Sequence, residues 1–252
     1  MAGSSLDRYF DRILAKEEAG QLSSKRGSRA LRKLLGNHLA VIGLLIFTTI
    51  LLASIFAPLL TEHDPLKINL RAILQPPSAE HWFGTDTTGR DVFARVLYGG
   101  RISILVGLGS ALIAAVIGVG IGCYAGYRGG WIDVIALRIS EIFMSFPQII
   151  LVLLLVSIIG QSLVNLIVIF VASGWGTMYR MARARMLSLR EEEYVQALRS
   201  FGISPLRICY KHILPNALGP IMVNITLTTA MFILAEAGLS FLGLGVPLNI
   251  PT

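Results

Sequence analysis

Residues 142–179 read IFMSFPQIILVLLLVSIIGQSLVNLIVIFVASGWGTMY, with no charged side chain between Glu141 and Arg180. As one α-helix this stretch would be about 57 Å long, nearly twice the hydrocarbon thickness of a bilayer. Gly160-Gln161-Ser162 is its only polar break. The spacing therefore predicts two helices joined by a tight hairpin, the first starting near Asp133 and the second running over 163–181. Pro147 predicts a kink in the first.

Outward from there the same rule finds further spans. Residues 102–127 are charge-free between Arg101 and Arg128, and residues 39–60 (LAVIGLLIFTTILLASIFAPLL) are charge-free as well. A cleaved signal peptide has a shorter apolar run near the start of the chain. Here 38 residues precede the run, so it reads as an uncleaved first span. His212 to Ala235 supplies a fifth segment, broken early by Pro215 and Pro220, with its membrane portion at 218–237. The last residues, GLSFLGLGVPLNIPT (238–252), read as a re-entrant or interfacial loop.

Composition agrees. The 252 residues are 54% hydrophobic and only 15% charged, with mean hydropathy +0.68, where a soluble domain carries about 25% charged residues. Five spans of roughly 20 residues use about 100 positions. Disorder, collagen and a disulfide scaffold are excluded. Cys123 and Cys209 lie far apart and have no metal-ligand spacing. The fold class is all-α and polytopic.

Lysines and arginines orient it. Residues 1–38 hold eight (Arg8, Arg12, Lys16, Lys25, Arg26, Arg29, Arg32, Lys33) and residues 180–211 hold seven; residues 61–101 hold five, offset by five acids. Five spans with a cytoplasmic N-terminus keep both basic groups inside, as the positive-inside rule asks. The +7 net charge is then a topology signal rather than a nucleic-acid footprint. The organisation reads as a cytoplasmic segment 1–38, a first span 39–60, an extracytoplasmic loop 61–101, and a core 102–252 that includes a cytoplasmic loop 183–217.

Within the core, Ser110, Ala114, Gly118, Gly122 and Gly126 recur every four residues, a small-residue stripe that lets another helix approach closely. Intramolecular packing is the favoured reading over a dimer interface. Glu141 and Glu236 sit near span ends, where a buried acid is a functional candidate. Arg138 stands at i, i−3 from Glu141 and pairs with it; Glu236 has no sequence-local partner. The four histidines, His38, His63, His81 and His212, show no ligand spacing, and there is no Walker A sequence. No catalytic group, cofactor or metal ligand is expected.

The most organised polar segment is 185–215, RMLSLREEEYVQALRSFGISPLRICYKHILP. Ser188 and Glu191 have capping-box spacing, with three acids for the first turn. Tyr194, Leu198 and Phe201 share one face at i, i+4, i+7. Gly202 ends this helix, Ser204 caps a second short one with Pro205 at its first position, and Pro215 stops it. A helix–Gly–helix elbow with an apolar face suits docking onto a partner; the alternative is an amphipathic loop lying on lipid headgroups.

The elbow resembles the EAA loop of ABC-importer permeases, E-A-A-x3-G-x9-I-x-L-P. Ala197, Gly202, Leu214 and Pro215 match at the expected spacing, while Gln196, Leu198 and His212 depart from it. With NHLAVIGLLIF (37–47), GTDTTGRDVFARVLYGGRISI (84–104), HILPN (212–216) and EAGLSFLGLG (236–245), residues 30–252 resemble the C-type permease subunit of dipeptide, oligopeptide and nickel importers. The resemblance implies a bacterial inner-membrane protein paired with a second, homologous permease. It also implies two cytoplasmic ATP-binding subunits, one of which seats a coupling helix near 198–210 in a groove, and an extracytoplasmic substrate-binding protein. It implies no enzymatic activity in the chain itself. Peptide is the expected cargo, with nickel or a metal chelate the alternative. The family has six spans, so a sixth is expected to be missing after Thr252. An ion-coupled transporter using Glu141 or Glu236, and a membrane scaffold without transport, are the competing functions; isolated acids make no relay and disfavour the first.

Overall fold

The computed structural model describes residues 35–247 and residue 250. Its regular elements are helices; among the described residues the only β-pairing is an isolated bridge between Thr85 and Asp91. Four helices are long and apolar enough to cross a membrane, and a bent pair makes a fifth crossing if it counts as one span. The chain divides into two units, Met1–Ala53 and Ser54–Thr252. The basic cluster Arg8–Lys33 lies outside the described residues.

Helix α1, His38–Ile55, starts where Asn37 Oδ1 accepts the Ala40 N–H at 3.3 Å. The first apolar stretch is not one helix to Leu60, however. Phe56 interrupts it, and α2 covers only Ala57–Leu60. Pro58 is the cause: it lacks an N–H, and its ring collides with the carbonyl four residues back. That carbonyl belongs to Ser54, and the Arg101 guanidinium donates to both Ser54 and Ile55 oxygens instead.

Helix α3 spans Val92–Arg128 and begins ten residues before the expected core boundary at 102. Asp91 sets its start, its Oδ1 accepting the Ala94 N–H at 2.6 Å. Arg95 and Arg101 are compatible with helix, so the edge of the charge-free window was not the edge of the element. α4 (Gly130–Met144) and α5 (Gln148–Ile159) meet at 88° across Ser145-Phe146-Pro147. The expected kink is thus a full break, because Pro147 stands in the extended conformation at the cap of α5 rather than inside a turn. The hairpin falls at Gly160–Ser162: Ser162 Oγ accepts the Asn165 N–H at 3.1 Å, and the Asn165 amide donates to the Ile159 and Gly160 carbonyls. α6 then runs Leu163–Leu189.

The small-residue stripe of α3 is buried along its length. Gly118, Gly122 and Gly126 face α6 at Met178–Tyr179, Ala182 and Arg183–Met186. The Ser110 hydroxyl has no hydrogen-bond partner among the described residues. Lipid gives helices little hydrophobic reason to associate, so this close approach and its dispersion contacts hold the pair. Beyond it, Phe170 of α6 stacks on Phe232 at 4.8 Å and 9°, in a cluster with Val106, Val152 and Leu239.

The last membrane helix continues the elbow. α8 (Pro205–Arg207), a π-helical turn (Ile208–Ile213) and α9 (Leu214–Phe241) form one 37-residue rod, Pro205–Phe241. Pro215 was expected to stop a helix here and does not. The wider π ladder just before it absorbs the missing donor and the ring.

Candidate functional site

The elbow is built from two sides. After α6 ends at Leu189, Glu192 stands at the N-cap position of α7, Glu193–Ser200, without a side-chain cap bond. The expected Ser188–Glu191 capping box is absent, since Ser188 lies inside α6 and only Glu193 falls in the first turn of α7. The long apolar register of α6 carries its helix past the local signal. α7 closes in a Schellman motif. Gly202 N–H bonds to the Arg199 carbonyl at 2.9 Å and Ile203 N–H to Leu198 at 3.2 Å, with Gly202 at φ +71° where a side chain would be strained. Ser204 occupies the cap position before Pro205, but its hydroxyl makes no cap bond.

Underneath, Val195, Ile208, Cys209 and Ile213 are buried against Cys123 of α3 and Ala182 and Met186 of α6. Polar ties pin the same side to the carboxyl end of α3, where the helix dipole favours cations. Arg199 donates to Tyr127 Oη at 3.0 Å and lies over its ring, Arg190 donates to the Gly126 carbonyl at 3.3 Å, and Tyr210 Oη donates to that of Gly120 at 2.8 Å.

Outside, Ala197, Phe201, Gly202, Ser204, Pro205 and Leu206 are exposed, Phe201 at 82%. The expected face of Tyr194, Leu198 and Phe201 therefore splits. Leu198 turns inward beside Ile203, Phe201 projects from the cap after helical periodicity has ended, and Tyr194 is exposed at the margin. Leu214 is half-buried and Pro215 exposed, both inside the rod. Gln196, the departure from the EAA pattern, donates to the Glu191 carbonyl at 3.0 Å and braces the turn before α7.

The two acids differ. Glu141 is half-exposed and paired with Arg138 at 2.9 Å. Glu236 is buried, and it does have a sequence-local partner: Ser240 Oγ, one turn on, donates at 2.8 Å, while Ser103 Oγ of α3 donates at 2.7 Å. It borders a cavity of about 490 Å³ that Arg95 and Gln161 also line.

Three clusters escaped the sequence. Asp133 of α4 receives the Arg183 guanidinium at 2.5 and 2.6 Å and the Tyr179 hydroxyl at 2.9 Å, joining α4 to α6. Cys123 and Cys209, unpaired in sequence terms, share the cluster under the elbow as free thiols. The third lies in the loop 61–91. There Asp86 accepts Thr88 N–H, Thr88 Oγ1 and Arg90 N–H on one oxygen, and Arg90 and Arg95 side chains on the other. Burial alone would raise its carboxyl, but these donors outweigh burial and hold it well below the usual range. Gly89, at φ +72°, lies against the Asn69 backbone, where no Cβ fits. In that frame the histidines are not all scattered: His63, His81 and Asp91 converge, each offering a ligand atom within 4.8 Å of the others.

Comparison with known proteins agrees with this architecture. Residues 118–252 match the binding-protein-dependent transport system inner membrane component family, and residues 26–77 match the N-terminal TM domain of oligopeptide transport permease C. The dipeptide transport system permease protein DppC of Alkalihalophilus pseudofirmus is 44% identical over 222 residues, covering 88% of this chain and 73% of that one. The oligopeptide transport system permease protein OppC of Bacillus subtilis is 42% identical over 218 residues, 86% and 72% of the two chains. The probable D,D-dipeptide transport system permease protein DdpC of Escherichia coli is 42% identical over 219 residues, 87% and 74%. By matched length and identity, the chain belongs to the binding-protein-dependent transport system inner membrane component family.

Proposed function

We propose that the chain is one permease subunit of an ATP-driven peptide importer, coupled to its ATPases through the elbow. The observation that carries this is the two-sidedness of residues 190–213: a buried, pinned underside and an outward tip of Phe201, Pro205 and Leu206. Such a rod transmits a push into the membrane helix it continues. Relatives named as dipeptide and oligopeptide permeases support peptide over nickel as cargo. The remaining parts are a homologous permease, two ATP-binding subunits on the cytoplasmic side and a binding protein outside. The N-terminus lies in the cytoplasm with the elbow, following the distribution of basic residues. Small residues of α3 serve packing, and Glu236 sets a polar end to the pathway. Ion coupling is disfavoured, because both Glu236 oxygens accept serine hydroxyls.

The test is co-expression with candidate ATPases and the second permease, followed by reconstitution. Phe201→Asp should abolish ATPase co-purification and ATP-dependent peptide uptake while the chain still inserts and unfolds at the wild-type temperature. Uptake that survives this variant, or a wild-type chain that captures no ATPase, would sink the proposal.

A further inference from the structure

The geometry points to a binding site for a borderline divalent transition ion, of the zinc, nickel or cobalt class, formed by His63, His81 and Asp91 in the loop before α3. The three residues come from separate places: His63 just after α2, His81 inside the loop, and Asp91 at the cap of α3. His81 and Asp91 are buried and His63 is half-buried, so the donors are already drawn out of water.

Each donor is also held. His63 Nε2 lies 3.0 Å from the Glu80 carbonyl, which can only accept; Nε2 therefore carries the proton, and Nδ1 keeps its lone pair. His81 Nδ1 lies 2.8 Å from Asp91 Oδ2, and an ion bound by both atoms takes the place of the proton that now joins them. Asp91 is oriented in turn by the Ala94 N–H on its other oxygen. The two imidazole rings are tilted by 36° to one another, with their centroids 4.9 Å apart.

The spacing suits an ion. Ligands about 2.1 Å from a tetrahedral zinc stand about 3.4 Å apart. Closing from 4.8 Å asks each side chain to move less than about 1 Å. Two imidazoles and one carboxylate favour zinc, nickel or cobalt over magnesium or calcium. A fourth position opens toward a cavity of about 410 Å³ lined by Glu62 and Glu80, where water or either carboxylate completes the shell. The ion is a resident staple between the loop and α3. The inference does not rest on the transport reading.

The test uses the full chain assembled with its partner subunits in lipid nanodiscs. The complex is stripped with EDTA, titrated with zinc or nickel chloride, and its retained metal counted by elemental analysis. Expected is one ion per chain more than a His63→Gln/His81→Gln variant retains, with His63→Gln alone weakening binding at least about ten-fold. Zinc should also slow proteolysis within 61–91, reversibly by EDTA, in the wild type and not in His63→Gln; magnesium should do neither. No excess metal over the double variant, unchanged affinity in His63→Gln, or protease sensitivity indifferent to zinc would each overturn the assignment. Peptide uptake measured alongside reports separately on the importer reading.

Discussion

Gly118→Ala is the most direct probe of what holds α3 against α6. An added Cβ would sit 2.6 Å from Met178 Cβ and 2.8 Å from the Tyr179 nitrogen, closer still to the Trp175 carbonyl. Carbon contacts settle near 3.5–4.0 Å, so the helices must part by about 1 Å over that stretch. Overpacking of this kind costs about 1–3 kcal/mol. Alanine also improves helix propensity by about 1 kcal/mol over glycine, which complicates the single variant. Gly120, one turn-half away on the same helix, removes that ambiguity, because a Cβ there meets nothing within 4 Å. Both variants share the propensity gain, and only one carries the clash. Gly118→Ala should therefore unfold about 1–3 kcal/mol more easily than Gly120→Ala, a separation of about 2–12 °C in midpoint. Tryptophan fluorescence during thermal or SDS unfolding in detergent reads it, with Trp175 next to the substituted position. Equal midpoints for the two variants, or the reverse order, would refute the claim that close backbone approach is what this stripe provides.

Two further outcomes follow from the elbow and the loop. Gly202→Val should cost about 1–2 kcal/mol through its left-handed backbone and cut ATP-dependent uptake, whereas Gly202→Asn should retain most of both; the pair is read by thermal midpoint and transport rate. For Asp86, the folded carboxyl titrates below its unfolded value of 3.8, so its stabilisation is complete above that value and is lost as pH falls toward the folded one. In metal-stripped protein, proteolysis of the 61–91 loop should rise below about pH 4, while Asp86→Asn should already be sensitive at pH 7.

Where the sequence was readable, the signal was local. The hairpin at Gly160–Ser162 is a turn whose cap and closing amide lie within six residues. Gly202 and Pro205 mark turns by their own backbone demands. The four-residue stripe needs only the helix period. Readings failed where a longer element overrode a short one. Ser188 had the spacing of a cap, but α6 was already running through it. Pro215 had the chemistry of a stop, but a π turn six residues long made room for it. Phe201 had the right spacing for a helix face that ends one residue earlier. The polar clusters were invisible for a different reason. Asp133 and Arg183 are 50 positions apart, and His63 and Asp91 gain meaning only once the loop folds back on the start of α3. Side chains joined only by tertiary structure leave no period or motif to read.

The unbroken run from Pro205 to Phe241 has a mechanical consequence. At 37 residues it is a lever about 55 Å long, with the exposed tip near one end and Glu236 near the other. A tilt of about 10° at the tip sweeps the far end through roughly 10 Å, enough to carry Glu236 away from Ser103. Its compliant points are the π turn and Pro220, where the backbone ladder is widened or lacks a rung. Stiffening either should change how much of an angular stroke arrives at the far end, while leaving intact the surface that receives it.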